Sequence, residues 1–184
     1  MSDVSFVQLF GGDHEAGHFA GLVIDRRYHN RCIFTYLDSL PDRGYISMEK
    51  VRRHVRISGQ SEFSEEECTW IKATVPRQAK ATMDCGICMS MYMAKFAQAL
   101  AGLSGEDTPG GALPYDSVVI APADHTYVED DSYVCSEPIT PKMLGWFGRA
   151  HMRQSLIKKS FPKKAVVFSM LDVTFGSLDR DNAW

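Results

Sequence analysis

The stretch that most constrains this chain is Met83-Asp84-Cys85-Gly86-Ile87-Cys88-Met89-Ser90-Met91-Tyr92-Met93-Ala94-Lys95-Phe96. Ile87, Met91, Ala94 and Leu100 recur at spacings of three to seven, which predicts a helix, and Asp84 is a good N-cap for it. The helix therefore opens on a cysteine. Gly86 leaves room beside that start, and a thiol at the positive end of a helix dipole is favoured as thiolate, the form a nucleophile needs. A small buried core residue is the other reading of Cys85, so the case for chemistry rests on what lies upstream.

With 184 residues, 45% of them hydrophobic, and a net charge of -3, the chain is the size of one domain with a real core. The near-neutral balance argues against broad nucleic-acid binding. Met1 to Phe6 has no basic region and no long apolar run, so neither a signal peptide nor a membrane span is expected. The expected location is intracellular, nuclear or cytoplasmic. Cys32, Cys68, Cys85, Cys88 and Cys135 are odd in number and irregularly spaced, which fits a reducing compartment. The nine methionines are expected to fill core.

In chain order, Ser5 to Phe10 reads as a short strand ended by a Gly11-Gly12-Asp13 turn. Gly17 to Asp25 reads as an interior strand with His18 at its entrance, Arg26 to Asn30 as a turn, and Arg31 to Leu37 as the next strand. If this hairpin is antiparallel, Asp38 leaves it at the sheet end where His18 enters. Ser47 is a plausible cap for a helix through Met48, Val51 and Val55, with Lys50, Arg52, Arg53 and Arg56 outside. Cys68 to Val75 is a further strand, and Pro76-Arg77-Gln78 begins the loop that leads to Cys85. Residues 102–138 read as a loop insertion, Pro141 to about Lys159 as a helix with a basic far end, and 161–184 as a tail whose Ala165 to Phe168 run is strand-like.

A thiolate protease needs a base for the thiol proton, a group that fixes the base's ring, and donors for the oxyanion. His18, Asp38, Gln78 and Cys85 supply these types in one order and converge on one sheet edge in the expected fold. His14 is a rival base, and Asp25 or Asp42 rivals Asp38. His29, His54, His125 and His151 read as surface residues. Cys85-Gly86-Ile87-Cys88 is formally a C-x-x-C, but the partner loop of a redox site and the second ligand pair of a zinc site are not evident, so no metal or cofactor is expected.

Gly17-His18-Phe19 before an apolar strand, Tyr36-Leu37-Asp38-Ser39-Leu40, Val75-Pro76-Arg77-Gln78 and Asp84-Cys85-Gly86-Ile87-Cys88 together resemble the Ulp/SENP family of SUMO-processing cysteine proteases. The likeness covers roughly Phe6 to Leu100, with Met143 to Lys159 weakly similar to the family's closing helix. It implies an α+β, papain-like cysteine proteinase fold over residues 1–160, a mixed β-sheet packed against helices with the nucleophile at a helix N-terminus. It further implies His18 as general base, Asp38 as its orienter, Cys85 as nucleophile and Gln78 as oxyanion donor. The implied partner is a ubiquitin-like modifier of SUMO or NEDD8 type, cut after its terminal Gly-Gly, with Phe19 and Trp70 as substrate-binding aromatics. The family places a sizeable portion before its histidine, whereas His18 stands near the start here, and its usual Trp at position 19 is Phe. Two other functions remain: a module that binds a modifier without turning it over, and an acetyltransferase of the kind found among related bacterial effectors.

Overall fold

Strand β3 (Arg31–Leu37) is the centre of the molecule, and all its residues from Cys32 to Leu37 are buried. A buried run that is apolar apart from Thr35 is what a strand covered on both faces requires. The computed structural model describes residues 4–12, 17–28, 31–41, 46–57, 64–101, 115–122, 140–158 and 171–176. Around β3 lie β1 (Val4–Gly12), β2 (Gly17–Tyr28) and β4 (Cys68–Lys72), in the order β1-β2-β3-β4. The first two pairings are antiparallel and the third is parallel, so the sheet is mixed.

The side-chain period of two sorts β3 between two cores. Cys32, Phe34 and Tyr36 join Leu22 and Ile24 of β2 under helix α1 (Met48–Ile57), whose Val51 and Val55 face inward. Lys50, Arg52, Arg53 and Arg56 are exposed, as expected, and Ser47 Oγ accepts the Lys50 N–H at 3.3 Å. Ile33 and Leu37 point the other way, with Ile71, Ala73 and the Cys88, Met91, Tyr92 and Phe96 face of α2 (Cys85–Ala101). Helix α3 (Pro141–Lys158) crosses the start of α2. A Cβ at Gly145 or Gly148 would overlap Asp84 or the Ile87 and Met91 side chains, so glycine there permits the close approach. The architecture is α+β, with helices on both faces of a mixed sheet. No described helix is long and apolar enough to cross a membrane.

Three expectations are corrected. Residues 117–122 fall in the expected loop insertion, yet form β5 (Ser117–Pro122), which pairs with β6 (Leu171–Gly176). The Thr74 N–H donates to Val118 O (2.9 Å) and the Ile120 N–H to Thr74 O (2.7 Å), so β5 continues the hydrogen-bonded line beyond β4. Val118 and Ile120 are buried in the α2 core, and this short β-branched run outweighs its Gly- and Pro-rich flanks. The expected tail likewise supplies β6, whose Leu171 is fully buried; the 165–168 run lies outside the described residues. Finally, β2 does not turn at Arg26 but runs to Tyr28 through a register shift. Arg27 Nε and Nη2 clasp the two Asp25 carboxylate oxygens at 2.9 Å each, which holds the irregular strand extended.

Candidate active site

Antiparallel pairing of β2 with β3 brings the entrance of one strand beside the exit of the other, and there His18 Nε2 and Asp38 Oδ1 lie 2.7 Å apart, both buried. Asp38 is held from three sides. Its Oδ1 also accepts the Leu40 N–H (2.8 Å), and its Oδ2 accepts the Tyr36 hydroxyl (2.8 Å). Burial pushes the carboxyl pKa up, but the bonds from His18, Leu40 and Tyr36 outweigh it and leave Asp38 below the ordinary carboxylate range. Tyr36 shows the reverse balance, its pKa being raised by burial and by the Asp38 charge. An ionised Asp38 can only accept, so Nε2 carries the proton between them, and in a neutral imidazole Nδ1 is then the acceptor.

Ser39, the next residue, positions the amide. Its hydroxyl donates to Gln78 Oε1 (2.8 Å), and its carbonyl accepts the Gln78 N–H (3.3 Å). Gln78 Nε2 donates to Thr82 O at 2.9 Å. A carbonyl can only accept, so this bond fixes which end of the amide is nitrogen. The turn between them is tight: Thr82 Oγ1 donates to Ala79 O (2.9 Å), and Ala81 has a φ of 57°. Behind the loop, the Tyr92 hydroxyl of α2 donates to Pro76 O at 2.7 Å.

Cys85 is the first residue of α2, and the Cys88 N–H closes the first helical turn on Asp84 O (2.8 Å). The Asp84 carboxylate is taken by Arg149 of α3, which ties the residue before Cys85 to the second helix. His18, Gln78 and Cys85 all line one cleft of about 1230 Å³, together with Phe10, Phe19, Arg77, Lys80 and Met83. Phe19 packs near Gly86 and against Phe10, ring centroids 5.1 Å apart. The other thiol of the C-x-x-C is different. Cys88 is fully buried in the core and its pKa is pushed up to about 11 by burial. Among the described residues no group of three His, Cys, Asp or Glu side chains could hold a metal ion.

Trp70 is separated from this cleft. It pairs in register with Phe34, so it faces α1, where its ring stacks on Phe34 (4.2 Å) and Arg52 lies over it at 5.3 Å. Of the rivals, Asp25 lies toward the opposite end of β2, and His14 and Asp42 lie outside the described residues. Tyr36 and Ser39 stand in the motif around Asp38 but carry no role of their own in the sequence reading, and Phe10 is no more there than the end of a strand. Tyr36 had a usable signal, since it lies two residues before Asp38 on one face of β3. Phe10 had none, because only the β1–β2 register puts it opposite Phe19. No model of a known protein family matches the sequence, and no curated protein does.

Proposed function

We propose that this chain is a cysteine-type peptidase or isopeptidase of papain-like arrangement that cleaves after the C-terminal Gly-Gly of a ubiquitin-like modifier, SUMO being the first candidate. The observation that carries the reading is the buried His18–Asp38 pair opening on the same cleft as a cysteine at a helix start. The modifier assignment rests on the resemblance in the flanking residues alone.

The chemistry follows from the atoms. His18 Nδ1 accepts the thiol proton, and Cys85 Sγ attacks the carbonyl carbon of the terminal glycine. The Gln78 amide and the Cys85 backbone N–H, unpaired within the helix at its first position, stabilise the oxyanion. Asp38 holds the imidazolium in place. Collapse returns the proton from Nδ1 to the leaving amine and leaves a thioester, which water hydrolyses with His18 again as base. The test is a panel of ubiquitin-like modifiers carrying C-terminal electrophiles. Covalent capture should require Cys85, fall sharply in His18→Ala and prefer one modifier. A folded protein that reacts with none of them, and whose Cys85 alkylates no faster than Cys88, overturns the assignment.

A further inference from the structure

Strand β1 is an outer strand of the sheet, and among the described residues no strand pairs with it on the side away from β2. Edge strands in soluble proteins are commonly blunted by lysine, proline or a bulge, because their unpaired N–H and C=O groups template further pairing. This one carries none of these. Val4-Ser5-Phe6-Val7-Gln8-Leu9-Phe10-Gly11-Gly12 has no charge and no proline, and its register with β2 is unbroken from Val4 to Gly12. Val7 and Leu9 are anchored in the α1 core, while Phe6 and Phe10 on the other face are 44% and 64% exposed.

Phe10 is exposed but seated. Its ring rests over Gly17, where a Cβ would come within 2.6 Å of Phe10 Cε2, and leans on Phe19. The end of β1 is also continuous with the cleft, since Gly11 pairs with His18 and Phe10 lines the same cleft as Cys85. We propose that the outer edge of β1 pairs with an extended segment of the substrate polypeptide. That segment sets apolar side chains against Phe6 and Phe10 and runs its scissile end into the cleft. The described cleft lining carries Arg77 and Lys80 and no carboxylate, so the segment is neutral or acidic. Main-chain bonds supply affinity and the alternate side chains supply selectivity. The inference rests on the peptidase reading only for the placement of the scissile end.

The experiment measures fluorescence anisotropy of a fluorescein-labelled peptide, Glu-Val-Thr-Val-Thr-Val-Gly-Gly, on the full chain carrying Cys85→Ala. Saturable binding is expected. It should weaken about tenfold when the alternate amides on one edge of the peptide are N-methylated, and little when those on the other edge are, because a strand pairs through one edge only. Phe6→Lys and Phe10→Lys, checked for an unchanged melting temperature, should weaken binding, and Leu156→Lys, a similarly exposed apolar site on α3, should not. Absence of binding, or equal loss from N-methylation of either edge, overturns the proposal. So does a dimer by light scattering that Phe10→Lys dissolves, since a second copy would then occupy the edge. Failure of the peptidase reading shows separately, as peptide binding without capture of any modifier at Cys85.

Discussion

At one end of the β2–β3 hairpin, Asp38 accepts from His18, Tyr36 and the Leu40 N–H; toward the other, Asp25 takes Arg27 through two parallel bonds and meets the Tyr115 hydroxyl at 3.4 Å. Both carboxylates are buried and both are satisfied. The difference lies in the partner. A guanidinium keeps its proton at any pH the protein meets, so Asp25–Arg27 is a fixed clasp. A neutral imidazole has one nitrogen that donates and one that accepts, so only the Asp38 end has a side chain built to relay a proton. Helix α2 spans the two ends. Its first residue lies in the cleft lined by His18, and its last turn is closed where Arg27 Nη1 donates to Leu100 O at 3.0 Å, a cation at the negative helix end. One end holds the helix and the other opens on the cleft with it.

This contrast breaks most sharply on rate. Asp38→Asn should slow cleavage, or modifier capture at Cys85, by roughly 10²- to 10⁴-fold, because an amide, which can donate as well as accept, neither fixes the His18 tautomer nor balances an imidazolium charge. Asp25→Asn should leave the rate per folded molecule within about threefold. Equal losses in the two variants would mean that the ends are not distinct.

Stability should reverse the order. Asp25→Asn removes the charge of the fully buried carboxylate from the Asp25–Arg27 pair and should cost about 3 kcal/mol in urea unfolding. Asp38→Asn should cost about 1–2 kcal/mol, since an amide still accepts a hydrogen bond.

The acid limb isolates Asp38. Its pKa is lowered on folding, so its contribution is fully present above the unfolded carboxylate value of about 3.9 and is lost as pH falls below that. The melting temperature of Asp38→Asn should therefore converge on that of the wild type as pH drops below about 4. A gap that persists at the lowest pH would remove Asp38 from the acid transition.

Smaller effects sharpen the site end alone. Tyr36→Phe removes one donor to Asp38 and should cost about 1 kcal/mol and a severalfold loss of rate. Ala81→Gly relieves a left-handed alanine beside the cleft and should raise stability by about 0.5 kcal/mol, after the entropy that glycine adds to the unfolded chain. A loss of stability instead would show that the turn from Gln78 to Thr82 depends on the alanine side chain.

Much of the site was legible because its parts sit at element boundaries. His18 precedes an apolar run, Asp38 follows one, and Cys85 opens a helical repeat, so local patterns placed all three. The side that Trp70 faces is not readable from the chain, because an aromatic in a strand faces one side or the other, and the side depends on its pairing with Phe34. Strands β5 and β6 were missed for a related reason. They are six residues each, and their partners lie far away in sequence, so nothing local distinguishes them from loop.

The sequence by itself determined the helix that opens on Cys85, the hairpin that carries His18 and Asp38, and the amphipathic α1, since each is written in contacts between near neighbours in the chain. Only the tertiary structure decided that Ser39 would lock Gln78, that Arg149 would hold the residue before Cys85, and that Phe10 would wall the cleft. These pairings join residues from separate elements. Their register and crossing are set by the packing of whole faces, a property that no short stretch of chain possesses alone.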